Sequence, residues 1–297
     1  MKRDKSFSLG LKAGAPVSFA GKTAIIVGGT GGLGREIARS IAQRGGQVVV
    51  VGRTFRDTEM LGIRFVQADL SLMREAARVA DVLPAEHADF LIFTTGIFAA
   101  PHRQQTQEGL ERDIAVSFLN RVVMLRRLAP RLGRARTDAT SRPRVFVMGY
   151  PGSGQAGAYD DLNAERSYKG MAVHMNTVAG NEILVADAVD RYPELDTFGL
   201  NPGLIKTDIR SNMLGAGSLQ HRIIEALIGA FSPTPRAYAE KMAPLIASPR
   251  LEGQSGRLFN RDGDALSPSP GIDKIHSQRF LNASEALVRR TGITLAG

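Results

Sequence analysis

Short runs of β-branched and aliphatic residues alternate with amphipathic stretches over the first two-thirds of the chain. TAIIV (23–27), VVVV (48–51), IRFVQ (63–67), DFLIF (89–93), RVFVM (144–148) and LDTFGL (195–200) read as strands, with RLF (257–259) as a last one. Residues 32–44, 72–83, 107–131 and 166–191 carry apolar positions at helical spacing. Strands that are apolar on both faces and separated by amphipathic helices belong to a parallel sheet covered on both sides. Right-handed crossovers then give an α/β, doubly wound sheet of about seven strands.

The pattern bounds one domain over 21–265. Residues 1–20 open with the basic MKRDKSFSLGLK and read as a flexible arm. An insertion at about 208–247, with two helical patterns around SPTP (232–235), reads as a lid. The tail, 266–297, starts as the loop SPSPGID and ends in a short helix.

Composition narrows the chemistry. The chain has 297 residues and 43% hydrophobic content, enough for a sizeable core. It has no cysteine, which excludes disulfides and thiolate chemistry and fits a reducing, cytoplasmic setting. No metal site is expected. The net charge of +9 is scattered, without a basic run interleaved with aromatics, so no nucleic-acid partner is expected. No stretch approaches the length of a membrane span.

The first strand runs straight into GGTGGLG and then a helix. Gly28, Gly32 and Gly34 form G-x-x-x-G-x-G at that junction, with Thr30, Gly31 and Leu33 between them. Glycine permits the tight turn and lets a pyrophosphate approach bare backbone, while the N–H groups of the helix start face the anion. This is a Rossmann-type signature. After the second strand, where an acid would hold the adenosine ribose, stand Gly52, Arg53 and Thr54. Arg53 suits a 2′-phosphate, so NADP(H) is expected rather than NAD, with Arg35 in support. The alternative for Arg53 is a solvated surface side chain.

With these residues in place, the chain resembles the short-chain dehydrogenase/reductase family from about residue 20 to 263. Asp69-Leu70 stands where the family's acid meets adenine. Thr94-Thr95-Gly96 stands where it usually has Asn-Ala-Gly. NPGLIKT supplies Pro202, Gly203, Ile205 and Thr207, like the family's loop at the nicotinamide end. TQEGLE (106–111) and YDDLNAERSY (159–168) are similar to retinol-dehydrogenase-like reductases. The resemblance implies hydride transfer between nicotinamide and a carbonyl or alcohol. It also implies a homodimer or homotetramer formed through the helices at 107–131 and 166–191.

The family manages the proton with a Tyr and a Lys four residues later, aided by a Ser and an Asn. Anchored on Asn181, this chain has His174 for the Tyr and Val178 for the Lys. Tyr150 falls near the Ser position and Ser117 near the Asn position. A one-residue slip would place Met175 and Ala179 in the first two positions instead. Imidazole titrates near pKa ~6.5, so His174 needs no Lys to act as an acid. Otherwise it is a packed or solvated helix histidine. Tyr150 either brings a phenol to the site or forms pocket wall. Ser117 either holds a water or packs the helix. Ile223, Ile224, Leu227 and Ile228 have helical spacing and either line a pocket for a lipophilic substrate or pack ordinarily. Two functions follow: an NADP(H)-dependent oxidoreductase with an atypical site, or a relative repurposed for non-redox cyclisation or isomerisation or reduced to binding NADP.

Overall fold

The computed structural model describes residues 1–10, 16–137, 140–203 and 233–295. Its centre is a nine-stranded sheet in the order β1-β9-β8-β7-β6-β5-β2-β3-β4. Strands β2 (Thr23–Val27), β3 (Gln47–Gly52), β4 (Ile63–Gln67), β5 (Phe90–Phe93), β6 (Arg144–Met148), β7 (Asp196–Asn201) and β8 (Leu258–Asn260) run parallel. These are the seven strands legible in the hydrophobic pattern.

Two more strands lie at one edge. β9 (Asp264–Leu266) pairs antiparallel with β8, and β1 (Arg3–Ser8) pairs antiparallel with β9. The stretch expected to be a flexible arm is therefore partly an edge strand. Its alternation of polar residues hid it, because an outermost strand needs little apolar surface. Arg257 stacks over the Phe7 ring at 4.0 Å and pairs with Asp4, which tethers β1.

Alternation within each parallel strand supplies two cores. Ile25, Val27, Val49, Val51, Leu91 and Phe93 face one side. Ala24, Ile26, Val48, Val50, Phe90 and Ile92 face the other. The first face is covered by α2 (Met73–Val82), by α3 (Arg112–Ile114), which continues through a π-helical segment at Ala115–Leu119 into α4 (Asn120–Leu128), and by α5 (Gly170–Arg191). The second is covered by α1 (Gly32–Gln43) and α6 (Pro235–Ala247). α6 falls within the expected lid, but it is a core helix packed on α1 and buries Tyr238, Met242 and Leu245. Residues 208–232 of that lid, including Ile223, Ile224, Leu227 and Ile228, lie outside the described residues.

The tail is also more ordered than its SPSP start suggested. α7 (Lys274–Arg290) packs on α5, with Phe280 edge-on to Phe118. Arg126 of α4 is 1% exposed and pairs with Asp187 of α5 and Glu285 of α7. The α4–α5 face, implied as a subunit contact, is thus partly covered by the chain's own C-terminal helix. Among the described residues no helix is long and apolar enough to cross a membrane.

Candidate active site

The sheet reverses its winding direction between β2 and β5, and ligands of open α/β sheets sit outside the carboxyl ends of strands at such a point. The glycine loop and Thr94–Gly96 meet there. A Cβ on Gly28, which has φ +91°, would lie 2.7 Å from the Thr95 nitrogen. A Cβ on Gly34 would overlap the Thr94 hydroxyl and lie 2.5 Å from the Gly28 carbonyl oxygen. Thr94 donates its hydroxyl to the Val27 carbonyl at 3.0 Å, so it bolts the two strand ends together. A Cβ on Gly31 would meet nothing within 4 Å, which marks the open side of the loop.

The entrance to α1 has neither a side-chain cap nor an acid in its first turn. Its N–H groups and the positive end of its dipole are left for an external anion. Thr30 packs its side chain against Gly52, where any Cβ would overlap it. Leu33 is half-buried against the second core.

Arg53 and Thr54 are exposed at the end of β3. Arg35 is differently employed than expected. It donates twice to Asp57, at 2.7 and 2.6 Å, and Arg39 donates to the same carboxylate at 2.9 Å. The Arg35 hydrogen bond holds the Asp57 carboxyl below its ordinary range, despite desolvation, with Arg39 assisting. One buried carboxylate thus fixes two guanidiniums beside the loop and leaves a net positive corner. Asp69 is exposed and accepts the Ser71 N–H, with Leu70 buried beside it. Thr95 donates to Asn120 at 3.3 Å, and Gly96 is half-buried. Pro202 is buried, and Gly203 has φ +67° with its N–H on Asn201. Ile205 and Thr207 lie outside the described residues.

The reaction end of the cleft is built by interlocking loops. Asn163, from YDDLN, accepts the Glu111 N–H at 2.7 Å and donates to the Gly109 carbonyl. Within TQEGLE, Glu108 caps α2 through the Met73 and Arg74 N–H groups, and Glu111 caps α3 through Ile114 N–H. Burial pushes the Glu111 carboxyl up to about 6, against the Ile114 hydrogen bond, and nearby Asp113 adds to the rise. These pins set the start of α3 against the start of α5.

Asp113 and His174 meet at that junction. Asp113 is fully buried, and its Oδ2 lies 2.8 Å from His174 Nδ1. Its Oδ1 accepts from Ser117 Oγ at 2.5 Å. Ser117 in turn accepts the Ile97 N–H at 3.0 Å. Phe98 stacks on the imidazole, with ring centroids 4.1 Å apart and planes 24° apart. The His174 side chain keeps 14% exposure, and its Nε2 takes no hydrogen bond among the described residues. Val178 is buried one turn further on. Tyr150 is half-buried and takes no hydrogen bond among the described residues. Glu182 anchors its loop by accepting the Gly152 N–H, the Ser269 N–H and the Ser269 hydroxyl.

Arg121 was not singled out in the sequence. It is buried on α4 and donates to the Thr95 and Met148 carbonyls and, at 2.8 Å, to Asn181 Oδ1. It therefore ties together the ends of β5 and β6 and the middle of α5. Burial pulls its guanidinium down to about 9, partly offset by Asp113, so it remains a cation at neutral pH. Its Nε finds no partner in the described structure. The available signal was spacing: Asp113, Ser117 and Arg121 form an i, i+4, i+8 polar stripe through the apolar run DIAVSFLNRVV.

Comparison with known proteins supplies the family context. A family profile described as short chain dehydrogenase matches residues 22–139. A Saccharomyces cerevisiae protein described as an uncharacterized oxidoreductase is 49% identical over 97% of this chain and 95% of its own length. Retinol dehydrogenase 14 of Homo sapiens is 24% identical over 93% of this chain and 89% of its own length. Among solved structures, the Pseudomonas aeruginosa RhlG/NADP active-site complex superposes with a TM-score of 0.59 at 20% identity, covering 83% of this chain and 96% of that one.

Proposed function

From the premise that the chain belongs to the short-chain dehydrogenase/reductase family and is an oxidoreductase of that type, we propose that it uses NADP(H) to interconvert a carbonyl and an alcohol on an apolar small molecule. The observation that carries the reading is the uncapped glycine entrance to α1, open at Gly31 and flanked by the Arg35–Asp57–Arg39 corner and Arg53. Bare amides suit a pyrophosphate, and guanidiniums suit a 2′-phosphate. The same region would seat the dinucleotide with Gly28, Thr30, Gly32, Leu33, Gly34, Thr54, Asp69, Leu70, Thr95, Gly96, Pro202 and Gly203; Ile205 and Thr207 remain assigned to it from the sequence. That a similar fold has been solved as an NADP active-site complex supports the choice of coenzyme.

The bound coenzyme would supply or accept a hydride at its nicotinamide. The chain's own residues manage the proton. His174, in its protonated form, gives a proton from Nε2 to the oxygen of the carbonyl being reduced and is left neutral; in the oxidising direction the neutral ring takes the alcohol proton. Such acid–base assistance contributes about 10²–10⁴-fold. Phe98, Ile97, Val178 and Tyr150 give this end an apolar character, which favours a lipophilic substrate. The relative named retinol dehydrogenase supports that choice.

Val178 favours a second reading. A buried isopropyl group cannot hold ribose hydroxyls, as would suit a protein that binds NADP without redox turnover or that runs a non-redox reaction. Fluorescence titration with NADPH and NADH, followed by NADPH consumption against a panel of apolar ketones and aldehydes, separates the two. The first reading expects tight NADPH binding and turnover of at least one carbonyl. Tight binding without turnover on any of them supports the second.

A further inference from the structure

We propose that Asp113 sets the working state of His174, holding the imidazole as the Nδ1–H tautomer so that Nε2 is the ring atom that exchanges the proton. The inference deepens the functional reading above and rests on it for the reaction served, though not for the state of the ring.

The hydrogen bonds around Asp113 have a direction. The Ile97 N–H can only donate, so it makes Ser117 Oγ an acceptor. Ser117 Oγ has one proton and two acceptors, the Ile97 carbonyl at 3.3 Å and Asp113 Oδ1 at 2.5 Å, and the shorter contact takes it. An ionised carboxylate accepts only, so the ring nitrogen 2.8 Å from Oδ2 must carry hydrogen. Leaving Oδ2 of a fully buried carboxylate without a donor is costly, which stabilises this arrangement over the tautomer that turns a lone pair toward it. The Phe98 ring limits rotation out of plane. The other charged or titratable groups acting on the pair are Glu111 on the same loop, Arg121 on α4, and Tyr168 and Arg103 around Glu111. Arg121 feels Asp113 as an opposite charge, and Glu111 feels it as a like charge.

This assignment gives the loss of the family's Lys a reason. A cation beside a phenol makes the phenol more acidic, which is the help a Tyr needs. A cation beside an imidazole disfavours the imidazolium and obstructs its use as an acid. Replacing the phenol by an imidazole therefore inverts the charge that should stand next to it. The chain has a buried carboxylate at 2.8 Å from the ring and an uncharged Val178 at the Lys position. The Nδ1–H stays on Asp113 throughout. One proton moves between Nε2 and the substrate oxygen, and the ring alternates between neutral and imidazolium forms.

The test reads the ring itself. Protein labelled with ¹⁵N-histidine is observed at pH about 8, where an ordinary imidazole is neutral, by long-range proton–nitrogen correlation. His174 is assigned among the five histidines by its disappearance in His174→Gln. The wild type should show a protonated Nδ1 and a bare Nε2. Asp113→Asn should shift His174 toward the Nε2–H form while circular dichroism stays native. A wild-type ring protonated on Nε2 overturns the proposal, as does an unchanged tautomer in folded Asp113→Asn. Should that variant not fold, the wild-type spectrum decides alone. Absence of NADPH binding would sink the redox reading without touching the tautomer, so the two failures are distinguishable.

Discussion

The two ends of one cleft have been treated differently by this sequence. At the coenzyme end, the parts that matter are glycines and backbone: Gly28 and Gly34 press against Thr94 and Thr95, and α1 begins bare. At the reaction end, the parts that matter are side chains, and several of them interlock. His174 bonds Asp113, Asp113 bonds Ser117, and Arg121 ties the strand ends beneath them. The lesson is about constraint. A site made from close-packed glycines admits no added Cβ at Gly28 or Gly34. A site made from side chains can be rebuilt if charge and hydrogen bonding are rebuilt together.

The contrast can be broken most violently at the coenzyme end. Gly34→Val would force methyl groups into the Thr94 hydroxyl and the Gly28 carbonyl, both held by strand ends. NADPH affinity should fall beyond measurement and the melting temperature should drop, since overpacking typically costs about 1–3 kcal/mol or more. Native NADPH binding in that variant would mean the loop does not seat the coenzyme. His174→Phe should do the reverse, lowering turnover by roughly 10²–10⁴-fold with NADPH affinity little changed by fluorescence titration. Equal turnover would remove His174 from the chemistry.

Glu111→Gln sharpens the comparison through pH. The folded carboxyl is raised by burial to about 6 from its ordinary value. A raised acid contributes stability that is fully present below its unfolded value and lost as pH rises through about 6. Wild type should therefore lose about 2 kcal/mol relative to Glu111→Gln across that window, measured by urea unfolding at pH 4.5 and 7. Parallel stabilities at both pH values would contradict the burial argument. Arg53→Asp should have the smallest effect. It should weaken NADPH by about tenfold while sparing NADH, because Arg53 is exposed and screened. An unchanged preference would move the phosphate contact to the Arg35–Arg39 corner.

The coenzyme end was legible because its signal is local: strand, glycines and helix are contiguous, and the seven parallel strands announce themselves as unbroken apolar runs. β1 was missed because an edge strand carries polar residues, and α7, expected as a short helix, runs for 17 residues. The His174 position could be found by spacing from Asn181. Its partner could not, because Asp113 lies 61 residues away and pins such as Asn163–Glu111 bring the two loops together. Arg35 was read as support for Arg53, but its bond to Asp57, 22 residues on, could not be read from the sequence. Contacts between distant segments decide such roles, and no single-sequence pattern encodes them.

Titration of the intact protein with NADPH and NADH, followed by coenzyme fluorescence, tests the central claim most directly. Saturable binding of NADPH, tighter than that of NADH, is the expected result. No binding of either dinucleotide would contradict it.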